Sequence, residues 1–142
     1  MKISIASDHG GFELKEKLVA HLKKSGYKLN DHGTYSEESV DYPNFAQKVT
    51  ADIVDKKADR GILICGTGIG MSIAANKVNG IRCGLCTSIY HAKMTRAHNN
   101  ANILALGGRF TKLEDASKIA ETFLTTSFEG GRHQRRIDIF EK

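Results

Sequence analysis

Cys65 stands directly before the run Gly66-Thr67-Gly68-Ile69-Gly70. A glycine-rich turn that opens a helix presents free backbone N–H groups at the positive end of the helix dipole. Such a cradle suits a phosphate, or negative charge that develops during a reaction. The same helix terminus favours the thiolate of a neighbouring cysteine, so Cys65 is placed to act as a nucleophile or as a general base. With no ligand, these residues would make a tight strand-to-helix turn and an inert core cysteine. Two familiar phosphate patterns do not fit. Met71 occupies the last glycine position of G-x-G-x-x-G, and no Gly-Lys-Ser/Thr closes a P-loop.

Other groups with chemical potential are scattered along the chain. Asp8-His9-Gly10-Gly11 joins an acid to a base in a second glycine-rich turn. A metal would need further ligands at helical or knuckle spacing, and no such set is legible, so no metal is expected. Arg132 and Arg136 lie four apart in the tail Gly130-Gly131-Arg132-His133-Gln134-Arg135-Arg136. On a helix they share a face and could fork onto one phosphate; a solvated basic end is the plain alternative. Cys83 and Cys86 mimic C-x-x-C, but three residues apart on a strand they point to opposite faces and belong to the core. His21 and His91 read as surface residues on helices.

These residues are positioned by alternating strands and helices. Residues 2–7, 27–31, 61–65, 81–86 and 102–106 read as strands, the third an unbroken apolar run suited to a buried parallel strand. Helices are expected from Phe12 to before Ser25, from Pro43 through Val54, from about Met71 to Lys77, over 88–98, over 112–126 and within 130–142. Strand–helix alternation predicts an α/β fold, a three-layer α/β/α sandwich around a five-stranded parallel sheet, Rossmann-like, with residues 1–142 as one domain. Ligands of such sheets bind beyond the carboxyl ends of the strands. That rule selects Asp8–Gly11, Cys65–Gly70, Thr87-Ser88 and Gly107-Gly108-Arg109. His98 is different. It ends a crossover helix roughly 16 Å long, which returns it to the opposite end of the sheet. A catalytic His98 would therefore serve the cysteine of a second subunit; otherwise it is a helix-end histidine favoured by the dipole.

The 142 residues are 40% hydrophobic and 26% charged, the balance of a soluble domain. No apolar stretch is long enough to span a bilayer, and the first residues read as a strand, not a signal peptide, so a cytoplasmic protein is expected. Twenty-one Lys+Arg against sixteen Asp+Glu leave +5, which suits an anionic partner. Three cysteines without a secretory context argue against a disulfide framework.

Taken together, Asp8-His9-Gly10-Gly11, Asp41-Tyr42-Pro43, Ile64-Cys65-Gly66-Thr67-Gly68-Ile69-Gly70, Arg96-Ala97-His98-Asn99 and Gly130-Gly131-Arg132-His133-Gln134 with Arg136 resemble ribose-5-phosphate isomerase type B, in order and over nearly the whole chain. The resemblance implies an aldose–ketose isomerase for ribose 5-phosphate and ribulose 5-phosphate in the pentose phosphate pathway. It implies no metal or organic cofactor, and a homodimer or dimer of dimers with shared active sites. In that reading Cys65 is the base that moves a proton between C2 and C1. Thr67 and the N–H groups of Gly66, Gly68 and Gly70 hold the cis-enediolate, whose charge rewards preorganised donors. Asp8 and His98 assist ring opening, Asn99 holds sugar oxygens and Tyr42 lines the pocket. His9, Arg132, Arg136 and Arg109 grip the phosphate.

Three other functions compete. A hexose 6-phosphate isomerase, for example on allose 6-phosphate, would share the chemistry and differ in pocket length. A nucleotide- or nucleic-acid-binding module would explain the charge, but the tail offers only Phe128 and Phe140 for stacking, so neither nucleic acid nor membrane is an expected partner. A thiol hydrolase using Cys65 and His98 would form an acyl-enzyme instead of exchanging substrate protons with solvent.

Overall fold

Ile62 and Ile64 enter one apolar core while Leu63 and Cys65 enter a second, so the run 61–65 is buried on both sides as its composition demands. The computed structural model describes residues 1–141; Lys142, the end of the expected tail helix, lies outside them. The elements run β1 (Lys2–Ser7), α1 (Phe12–Lys24), β2 (Lys28–Asp31), α2 (Tyr42–Val54), β3 (Arg60–Cys65), α3 (Ile69–Asn76), β4 (Cys83–Leu85), α4 (Ile89–Ala97), β5 (Ile103–Gly107), α5 (Leu113–Thr125) and α6 (Arg132–Phe140). The five strands form one parallel sheet in the order β2-β1-β3-β5-β4. Helices α1, α4 and α5 pack together on one face, and α2 and α3 on the other. This is the three-layer α/β/α arrangement that the alternating pattern predicts.

The strand order reverses direction between β1 and β3, and a crevice opens there beyond their carboxyl ends. Asp8–Gly11 leaves β1 and Gly66–Gly70 leaves β3 on the two sides of that crevice. Expected and observed elements differ most at the fourth strand, read as 81–86 and observed as Cys83–Leu85. It is an edge strand, and its approach bonds elsewhere: the Ile81 N–H donates to Val78 in a turn and the Arg82 N–H to the Asn102 side chain at 2.9 Å. Helix α3 also begins earlier than Met71, because Gly68, at φ 80°, turns the chain directly into it. Cys83 and Cys86 face opposite cores, as the strand geometry requires. Burial raises both thiols, that of Cys86 to about 12, so neither is a base near neutrality.

Two buried polar networks pin the β2 side. Asp52 accepts from Ser4 Oγ at 2.8 Å, Asn30 Nδ2 at 2.8 Å and His32 Nε2 at 2.7 Å. Burial alone would raise its carboxyl; these donors and the His32 charge outweigh it and hold the group below the usual carboxylate range. Lys15 is wholly buried and its Nζ donates to both Asp31 oxygens, at 2.8 and 2.7 Å, and to Glu16 at 2.8 Å. Asp31→Asn removes the buried ammonium's main counter-charge. We expect a loss of about 3 kcal/mol of unfolding free energy, read by urea denaturation. A loss within experimental error would mean that half-exposed Glu16 alone neutralises Lys15.

Candidate active site

Nine of the thirteen residues expected at the site meet at the carboxyl ends of β1, β3 and β5. Cys65 ends β3, 5% exposed, and its Sγ accepts the Gly68 N–H at 3.2 Å. The thiol thus sits at the N-terminus of α3, where the first-turn amides of Gly70 and Met71 have no helical carbonyl to bond. Thr67 Oγ1 accepts the Ile69 N–H at 3.1 Å, which leaves its O–H free to donate to a ligand. A left-handed Gly68 makes this turn possible: a Cβ there would lie 2.6 Å from Leu85 Cδ1.

The β1 turn closes over the same point. Asp8 Oδ1 accepts the N–H groups of Gly10 at 2.9 Å and Gly11 at 3.2 Å, which fixes the carboxylate while its second oxygen stays unengaged. Gly10 packs so tightly on the neighbouring loop that its Cβ would stand 3.0 Å from the Gly66 nitrogen. His9 Nδ1 accepts the Val40 N–H at 3.2 Å, tying the 33–41 loop to the turn and leaving Nε2 outward. Arg109, carried by the turn after β5, lies across Gly66, and a Cβ on that glycine would be 2.9 Å from its Nη1. The Tyr42 ring covers Gly70, whose Cβ would be 2.8 Å from Cε1 and Cζ. Beside these groups a cleft of about 430 Å³ is lined by His9, Gly10, Lys17, Arg109 and Lys112 among others. Lys17 and Lys112 were not singled out by sequence, since each is one more lysine on a polar face.

His98, Asn99, Arg132 and Arg136 lie elsewhere. His98 caps the C-terminus of α4 and the chain then enters β5 from its amino end, where the Asn102 carbonyl accepts the Gly61 N–H at 2.9 Å. That is the opposite edge of the sheet from Cys65. The buried Arg96 clamps this corner by donating to the Asn100 side chain at 2.9 Å and the Ala101 carbonyl at 2.6 Å. Burial, with Arg60 and Arg82 nearby, lowers its guanidinium to about 10. The segment leading into α6 docks here too, through the Glu129 N–H on the Ala97 carbonyl at 3.0 Å. Arg132 and Arg136 are exposed on it, one helical turn apart. His133, counted by sequence only as part of a basic tail, stacks on His98 with ring centroids 4.2 Å apart.

A thiol in an amide cradle, a fixed carboxylate and an arginine at one mouth suit proton transfer on a small anionic substrate. Comparison with known proteins agrees with this chemistry. Residues 3–140 match the family model described as Ribose/Galactose Isomerase. The ribose-5-phosphate isomerase B of Escherichia coli is 47% identical over 137 residues, covering 96% of this chain and 92% of that protein. A crystal structure of a ribose 5-phosphate isomerase from Thermotoga maritima is 58% identical and superimposes with a TM-score of 0.96, over 97% of this chain and 95% of that one. The Mycoplasma genitalium ribose-5-phosphate isomerase B, solved with bound ribulose-5-phosphate, is 46% identical with a TM-score of 0.92, over 97% and 92%. The chain belongs to the ribose/galactose isomerase family and is an aldose–ketose isomerase.

Proposed function

We propose that this enzyme interconverts D-ribose 5-phosphate and D-ribulose 5-phosphate, with residues 1–142 as a single catalytic domain. The observation that carries the reading is the Cys65 thiol held by the Gly68 N–H at 3.2 Å, under the Asp8 turn and beside Arg109. Asp8 and the partner's His98 move the protons that open the furanose ring. Cys65, as thiolate, takes the C2 proton of the aldehyde form; the electron pair moves onto the carbonyl oxygen and gives a cis-enediolate. A proton passes from the C2 hydroxyl to the C1 oxygen and the thiol returns its own proton to C1, which leaves the C2 ketone, the C1 hydroxyl and the thiolate, so atoms and charge balance without an added redox partner. Thr67 and the amides of Gly66, Gly68 and Gly70 hold the oxyanion, and Tyr42 walls the pocket. His9 and Arg109 meet the phosphate with the partner's Arg132 and Arg136, and the partner's Asn99 holds sugar hydroxyls.

Placement supports a shared site: His98, Asn99, Arg132 and Arg136 lie at the opposite end of the sheet from Cys65. Ile69 and Ile73, one turn apart on α3, are 52% and 57% exposed beside the Cys65 loop. An apolar strip of this kind is what a second copy would cover in a homodimer, two of which can pair further. Among the described residues no helix is long and apolar enough to cross a membrane, in keeping with a cytoplasmic sugar-phosphate enzyme.

The test compares pentose and hexose phosphates in metal-free buffer with chelator present. We expect turnover of ribose 5-phosphate at least about tenfold faster than of allose 6-phosphate or galactose 6-phosphate, with solvent deuterium entering the product. Faster hexose turnover would reassign the substrate. Absence of turnover on both classes would remove the reading.

A further inference from the structure

We propose that His98, Glu129 and His133 form a binding site for a zinc-type divalent cation, and that the bound ion inhibits the enzyme. Their donor atoms all lie within 4.8 Å of one another. Two imidazoles and one carboxylate are a ligand set suited to Zn²⁺ and its neighbours, whereas magnesium and calcium take oxygen donors. Three protein ligands also leave a fourth position for water. The inhibition rests on the role proposed for His98; the binding does not.

The spacing is close to what an ion requires. Donors about 2.0–2.1 Å from one tetrahedral zinc stand roughly 3.4 Å from each other. Glu129 Oε1 is already 3.4 Å from His133 Nε2, and 3.8 Å from His98 Nε2. The two rings are stacked only 13° from parallel, so their nitrogens face the carboxylate side by side. One ring must turn out of the stack for both lone pairs to meet at one ion. The side chain of His133 is 8% exposed and held by packing, whereas that of His98 is 40% exposed and can make the turn. The backbone beneath is tied down through the Glu129 N–H on Ala97 and the His133 N–H on Gly130.

Among the described residues no lysine or arginine pairs with the Glu129 carboxylate. Arg82 pairs with Glu141 at 2.7 Å and Arg96 is spent on carbonyls and on Asn100. An ion on His98 would take the lone pair that proton transfer to the sugar requires. Free divalent metal would thereby switch off the enzyme.

The experiment titrates the metal-stripped full chain with ZnCl₂ by calorimetry, and with CoCl₂ by visible absorption. The variants Glu129→Gln and Cys65→Ser run alongside. One ion per chain is expected, weakened at least about tenfold by Glu129→Gln and unchanged by Cys65→Ser. Zinc should inhibit the wild type while sparing Glu129→Gln, each measured against its own metal-free rate. Equal affinity in Glu129→Gln, or binding lost in Cys65→Ser, would overturn the site by placing the ion elsewhere. If the metal-free wild type isomerises nothing while zinc binds as described, the site stands and the proposed function falls.

Discussion

Cys65→Ala is expected to cut turnover of ribose 5-phosphate by about 10²- to 10⁴-fold, the usual contribution of a positioned general base, while the chain stays folded. The sulfur is the atom nearest to being both buried and useful: 5% exposed, it accepts from the loop that would hold the reacting oxygens. Removing it strands the Gly68 N–H and leaves a void smaller than a methyl-lined cavity, a cost of about 1–2 kcal/mol. That is too little to unfold a domain of this size. Cys65→Ser keeps the shape and a weak acceptor but offers a hydroxyl far too basic to be ionised near neutrality, so it should be nearly as inactive. The affinity for ribose 5-phosphate should change less than kcat, because the phosphate grip is left intact. Retention of most of the wild-type kcat in Cys65→Ala, with a melting curve near that of the wild type, would place the base on another residue.

How much of this was legible depends on whether the signal is local. The run 61–65 announced a central strand because burial on both faces leaves no polar position in it. The glycines at 10, 66 and 108 read from sequence as places where backbone N–H groups approach a ligand; the Cβ clearances give them a packing role as well, since each faces another loop's backbone or Arg109. Lys15 was missed. It reads as a polar break in the apolar stripe of α1, and its burial is made tolerable chiefly by Asp31, sixteen residues on at the end of β2. The fourth strand was read too long because an edge strand's ends are decided by side chains such as Asn102, not by β-propensity. The separation of His98 from Cys65 was legible through topology, since a crossover helix must return His98 to the opposite end of the sheet. The stack of His98 on His133 was not. Its two rings come from separate elements, and the spacing Glu129-x-x-x-His133 gains meaning only once α6 folds back onto the end of α4.

The proposed division of the site between two subunits predicts a result that no single-chain enzyme can give. His98→Ala and Cys65→Ala should each be nearly inactive alone, yet co-refolding them in equal amounts should restore up to about a quarter of the wild-type rate. In a random mixture half of the dimers are mixed, and each mixed dimer holds one site with both side chains intact and one with neither. Half of the dimers with one good site in two gives the quarter. Neither substitution touches the strip around Ile69 and Ile73, so pairing itself should survive. Differently tagged chains, captured in tandem, isolate the mixed dimers, in which the rate should rise to about half of the wild type. Inactive mixed dimers, demonstrated by both tags in one particle, would show that His98 does not complete the site of Cys65 across the interface. The far-edge placement of Arg132 and Arg136 gives the same logic a second reading. Arg136→Ala mixed with Cys65→Ala should recover turnover at a KM near that of the wild type in the hybrid alone, because the intact Arg136 then lies opposite the intact thiol.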